Sequence, residues 1–371
     1  MEFLKKLTLK IMAGGLFLLS CNPPGPIIIR EKADPCSGGS VNIESENRLV
    51  PALIWKKNLR DSVDPDPGIA LGALLMPLPE NKLRIVSTNN GSRYAEIRFR
   101  EPIISPIVTA ESLTVINTGG RRLLILNWVK RDVLWEAPME GSTAIAAVYA
   151  NKVFWVDGLN YMRCFDINDG NRIWDRKLDG IDFTVTAVCS LGIAVFADDG
   201  LIECFDLEKG DRIWSFDAGA RIKGTPAIFE DQLVFCTIDG MVARIRMNDG
   251  ELVWMKDLRS PVFGGLAFDD SGVYAGTIDR FMIKLDYDSG DIEWKIKAGG
   301  PIKTGPALAD RMVVFAGLDH NIYFVDKSSG EISLAYETEG MITKRPLICG
   351  NRVFVAGEDN YLYCFEMQGG E

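Results

Sequence analysis

Along most of the chain, short runs of apolar residues four to six long alternate with clusters of Asp, Gly and Asn. No 3.6-residue period appears anywhere, so helices are not expected. Five runs align without gaps at a spacing of 40 residues: Tyr161–Asp166, Leu201–Asp206, Met241–Arg246, Phe281–Asp286 and Asn321–Asp326. A sixth, Tyr361–Glu366, stands near the end. Each is followed at one fixed offset by Gly (170, 210, 250, 290, 330, 370), and four are followed further on by Trp174, Trp214, Trp254 and Trp294, with Leu334 in the fifth place.

Within one unit the pattern predicts four strands, near Thr186–Ser190, Ile193–Ala197, Leu201–Asp206 and around Trp214. Asp199-Gly200 reads as a tight hairpin turn needing positive φ. Its equivalents are Gly240, Arg280, His320 and Asn360. Four strands per ~40 residues, nearly continuous in apolar side chains, predict an all-β propeller whose sheets are buried on both faces by their neighbours. Inner strands are expected to begin near Ala73, Pro106, Ala144, Thr186, Pro226, Gly265, Pro306 and Pro346, giving eight blades. The last unit stops before its fourth strand. Leu49–Leu59, with Ile54-Trp55-Lys56, reads as the missing strand, and an N-terminal strand completing the last blade closes the ring and removes two free edges. The first blade, around 70–105, has no room for a full hairpin after Asn90-Gly91 and is expected to be three-stranded.

The propeller is expected over 49–371. Ahead of it, Lys5, Lys6 and Lys10 precede an apolar run from Ile11 to Leu19 that is too short to span a bilayer. This is the order of a secretory signal, here residues 1–20. Leu18-Leu19-Ser20-Cys21 resembles a bacterial lipobox, in which the cysteine is acylated; with Asn22 behind it, this implies outer-membrane sorting and a membrane contact through the lipid anchor alone. Residues 22–48 read as a Pro- and Gly-punctuated tether.

Composition narrows the chemistry. The formal charge is -10, and residues 1–20 carry three Lys and one Glu, so a chain cleaved after Ser20 stands at -12. Such a surface repels nucleic acid. The single histidine, His320, occupies a turn position, and its count excludes His-based triads and metal sites. Asp166-Ile-Asn-Asp-Gly170 lacks the spacing of a calcium loop. Eight cysteines invite a disulfide framework, but Cys189 and Cys204 fall on strands one and three of a blade, ~9.5 Å apart and beyond bridging distance. Buried thiols are expected in the core, with Cys36 either free or paired with another chain. No catalytic, cofactor-binding or metal-binding residue is expected.

The run Asp199-Gly-Leu-Ile-Glu-Cys-Phe-Asp-Leu-Glu-Lys-Gly-Asp-Arg-Ile-Trp214 resembles the pyrroloquinoline-quinone-type repeat, clearly over 105–371 and weakly over 49–104. The resemblance implies that Trp55, Trp174, Trp214, Trp254 and Trp294 dock adjacent blades. The quinoprotein dehydrogenases of that superfamily carry a vicinal Cys-Cys pair and long insertions, which this sequence lacks.

A lipobox, eight blades and nothing further on the chain together resemble the BamB family of outer-membrane assembly lipoproteins. This implies a periplasmic scaffold docking onto the POTRA domains of a BamA-like barrel protein. The family's contact segment, Leu-Arg-Gly-x-Ser/Ala-Pro, is nearest here to Ile222-Lys-Gly-Thr-Pro226 and Ile302-Lys-Thr-Gly-Pro306, with Lys in place of Arg. The face bearing the second-to-third turns is expected to carry Asp199, Asp239, Asp279, Asp319 and Asp359. Arg221, Ile222, Lys223, Lys303, Lys344 and Arg345 are expected nearer the axis as partner-binding residues. A lipid-anchored receptor or sensor propeller that binds a small ligand or polysaccharide is the alternative from another class, and a quinoprotein dehydrogenase is the third reading.

Overall fold

The computed structural model describes residues 49–139, 146–180 and 183–369. Among them the chain forms eight four-stranded antiparallel sheets, each running from inner to outer strand in sequence order except the last. Blades 1 to 7 span 68–98, 108–138, 147–177, 183–217, 222–257, 266–297 and 307–337. Blade 8 takes its three inner strands from 347–369 and its outer strand from Leu49–Asn58. That N-terminal strand pairs antiparallel with Tyr361–Gly369, setting Trp55 opposite Cys364, so the ring closes as its end pattern requires.

Two details depart from expectation. Blade 1 has four strands: Gly68–Ala70, Ala73–Leu78, Lys82–Ser87 and Arg93–Arg98. Ala73 therefore opens a second strand, not an inner one. The inner strand is only three residues long and reverses at Leu71-Gly72 (φ 48° and 72°), where no Asp-Gly or Asn-Gly marks the turn. Asn90-Gly91 lies between the third and outer strands, and the hairpin ahead of it turns at Glu80-Asn81, both at positive φ. The second departure is Cys349, which is disulfide-bonded. Cys164, Cys189, Cys204, Cys236 and Cys364 are free buried thiols. The inner-strand start assigned to Ala144 lies outside the described residues; that strand is Ala147–Tyr149.

The alternation explains the burial. Second and third strands are sandwiched between neighbouring sheets: Gly192–Ala197 and Met312–Ala316 are buried at every residue. Outer strands alternate, as in Arg212–Asp217, because one of their faces meets solvent. Between third and outer strands the register slips by one residue beside each tryptophan. Cys204 faces Trp214, but the next residue, Phe205, faces Arg212, leaving Ile213 in a bulge. The same slip recurs in all eight blades. A bulge adds twist and breaks the straight edge that would otherwise accept a foreign strand.

The joints between blades repeat one device. Trp214 Nε1 donates to Met247 O of the next blade at 2.8 Å, and its ring lies against Gly250, where a Cβ would come within 2.6 Å of the indole. Gly250 also has φ +73°, so the turn and the ring independently call for glycine. Trp174, Trp254 and Trp294 repeat the arrangement on Leu207 O, Tyr287 O and Lys327 O. Trp55 carries it across the ring closure to Asn89 O at 3.0 Å. Trp135 belongs to the same series, donating to Ile167 O and resting on Gly170. Its spacing of 39 residues from Trp174 hides it in a search for a 40-residue period. At the joint of blades 1 and 2, Ala95 stands where the tryptophan would be, and Trp128 of blade 2 packs into the shared cluster.

Candidate docking face

The turns between second and third strands, and the segments leading into the inner strands, share one face of the ring. His320 is a turn residue at φ +68°, its carbonyl accepting from Thr338 N and Oγ1. Arg280, Asn360, Gly200 and Gly240 likewise have positive φ. The acidic ring divides into two sets. Asp199, Asp239 and Asp279 are exposed. Asp319 and Asp359 turn inward to accept the hydroxyls of Tyr323 and Tyr363, filling their own blade joints.

Nearer the axis, neighbouring segments touch backbone to backbone. A Cβ on Gly264 would lie 2.1 Å from Thr304 C, and one on Gly265 2.6 Å from Thr225 N. This packing fixes which cations reach solvent. Lys223 and Lys303 are exposed at equivalent positions of blades 5 and 7. Arg221 is exposed and pairs with Asp198 at 2.6 Å. Ile222 is buried as the first residue of its strand, opposite Thr237.

Lys344 and Arg345 are drawn away from the surface. Lys344 Nζ meets Asp64 Oδ1 at 2.6 Å, joining the approaches to blades 8 and 1. Arg345 is only 5% exposed, and among the described residues its Nε and Nη1 have no partner. A docked surface could not reach it without rearrangement. Burial lowers the Arg345 pKa to about 10, against the pull of nearby Asp66. Burial likewise raises Asp66 to about 6, against Lys344 and Arg345. Asp64 and Asp66 escape a reading of the sequence because blade 1 is out of step with the repeat; in register, Asp66 and Arg345 are equivalent residues of adjacent blades.

Among the described residues, no group of three or more His, Cys, Asp or Glu side chains is placed to hold a metal ion. Burial pushes the thiols of Cys164, Cys236 and Cys364 up to about 12, which removes their thiolates at neutral pH.

Eight blades, six of their joints locked by indole on glycine, define a β-propeller of pyrroloquinoline-quinone-type repeats. The chain belongs to the family described as outer membrane protein assembly factor BamB, whose sequence model matches residues 51–197 and 198–371. A search of curated proteins finds no match. Solved structures with the same fold include BamB from Moraxella catarrhalis, 17% identical over 87% of this chain and 99% of that one, with a TM-score of 0.71. The computationally designed Ika8 protein is 14% identical over 84% and 98%, with a TM-score of 0.74. Saccharomyces cerevisiae Sqt1 is 11% identical over 85% and 98%, with a TM-score of 0.71. Identities this low establish the shared fold alone.

Proposed function

We propose that this protein is a lipid-anchored, periplasm-facing scaffold that binds protein partners during assembly and insertion of outer-membrane β-barrel proteins, without catalysing a reaction. The family match across the whole ring carries the reading. The signal sequence at 1–20, the lipidated Cys21 and the tether through 48 supply the location; they rest on the sequence and lie outside the described residues. The partner is a BamA-like barrel protein with POTRA domains. The solvent-facing cations Arg221, Lys223 and Lys303 are the side chains placed to meet it, beside the exposed carboxylates of Asp199, Asp239 and Asp279. Mixed charge of this kind steers encounter and sets register more than it adds affinity.

Affinity purification of the full-length lipoprotein from detergent-solubilised membranes tests the reading. A POTRA-bearing barrel protein should co-purify, and Arg221→Glu with Lys223→Glu should reduce its recovery. Recovery of the lipoprotein without any such partner overturns the role. Labelling with radioactive palmitate, lost in Cys21→Ser, checks the anchor.

A further inference from the structure

We propose that the joint between blades 2 and 3 is a binding site for a small organic acid, its carboxylate held by Trp155 and Arg172. A cavity of about 370 Å³ opens there, lined by Pro138 of blade 2 and by Trp155, Asp157, Arg163, Phe165 and Arg172 of blade 3. Trp155 is 2% exposed, and among the described residues its Nε1 has no hydrogen-bond partner. A buried N–H without an acceptor is unfavourable, and a ligand that brings one relieves it.

The other joints show what this one lacks. Position 163 corresponds to Glu203 in blade 4, Ala243 in blade 5, Tyr323 in blade 7 and Tyr363 in blade 8. At blade 4 the Glu203 carboxylate is buried in the joint. It accepts from Arg212 Nη1 at 3.1 Å and from Asp179 N at 3.0 Å. At blade 5, Phe235 takes the position of Trp155 and packs edge-on against Phe216. At blade 7, Tyr323 stacks on Phe315. At blade 3 the side chain folds back instead: Arg163 grips Asp157 Oδ2 through Nε at 2.9 Å and Nη2 at 2.5 Å.

Asp157 is fully engaged, since its Oδ1 also accepts from Leu159 N and Tyr161 N. It therefore presents no free carboxylate to repel an anion. Arg172 occupies the position of Arg212, the residue that holds the Glu203 carboxylate one blade on. Its side chain is 55% exposed and, among the described residues, is engaged by a surface pairing with Asp175 at 3.2 Å, so it is free to turn inward. A ligand carboxylate between Arg172 and the Trp155 N–H would restore the charge pattern of the next joint. A flat or short aliphatic body would then rest against Pro138 and the Trp155–Phe165 stack.

The test is a titration of the full chain, labelled with ¹⁵N, with benzoate, using the neutral isostere benzamide as control. The Trp155 indole N–H signal, assigned by its loss in Trp155→Phe, should move saturably with benzoate and stay still with benzamide. Arg172→Gln should weaken binding about tenfold or more, as expected for one charge-assisted hydrogen bond. An unmoved indole signal, an equal response to benzamide, or an affinity unchanged by Arg172→Gln each overturns the site. Should Trp155→Phe fail to fold, calorimetric titration of wild type against Arg172→Gln decides alone, because Arg172 lies at the surface and its loss leaves the core intact.

Discussion

If indole on glycine is what locks the blades, Gly250→Ala and Trp214→Ala must be strongly coupled. Gly250 sits at φ +73°, and a Cβ there would lie 2.6 Å from the Trp214 ring. Alanine at this position meets two penalties: ~1–2 kcal/mol for the left-handed backbone and ~1–3 kcal/mol for forcing the ring aside. Trp214, 7% exposed, loses packing and its bond to Met247 O on truncation, for about 3–5 kcal/mol. In the double variant the ring is gone, and only the backbone penalty of the Gly250→Ala change remains. The cycle should therefore show coupling of about 1–3 kcal/mol, with the pair less destabilising than the sum of the singles. Urea unfolding followed by circular dichroism, with midpoints and slopes compared across the four proteins, measures it. Costs that add to within ~0.5 kcal/mol would refute the wedge and leave Gly250 as a turn residue only.

Three further outcomes follow from the charges and thiols. Burial raises the Asp206 pKa, but the N–H donors of Lys209, Asp211 and Glu208 outweigh it and hold the group below its usual range; Asp286 is lowered chiefly by Ser289. Their stabilisation is present above about pH 4 and lost as pH falls through the lower folded values, so thermal melts of wild type and Asp206→Asn should converge in acid and separate at neutral pH. Asp66 has the opposite sign. Raised to about 6, it favours the folded state while protonated, and that contribution is lost as pH rises from about 4 to 6. Asp66→Asn should therefore raise Tm at about pH 7.5 and have little effect at about pH 4; a lowered Tm at the higher pH contradicts this. Finally, Cys164, Cys236 and Cys364 should resist iodoacetamide at about pH 8 until denaturant is added, as read by mass spectrometry of labelled peptides.

Much of the ring was legible because its determinants are local and repeated. The Asp-Gly turns, the apolar second and third strands and the Gly-to-Trp offset each state a short-range requirement of backbone or packing, and their recurrence from blade to blade over 161–366 makes the pattern plain. Closure was legible too, because a missing outer strand at one end and an orphan Trp55 at the other complement each other. Blade 1 was misread where the local code weakens: a three-residue inner strand, a Leu-Gly turn and Ala95 in place of the tryptophan leave little to align.

By itself, then, the chain determined the strands of the regular blades and the spacing of their wedges, since these depend on neighbours a few residues apart. What became of each polar side chain was decided by packing between blades. Lys303 and Arg345 stand in equivalent approaches and read alike as axial cations, yet one reaches water and the other is enclosed beside Asp66. Glu203 and Arg163 occupy one position of the repeat, yet one fills its joint and the other leaves a cavity. The reason is physical: solvation and pairing depend on what the adjacent sheet presents, and that sheet begins some forty residues away.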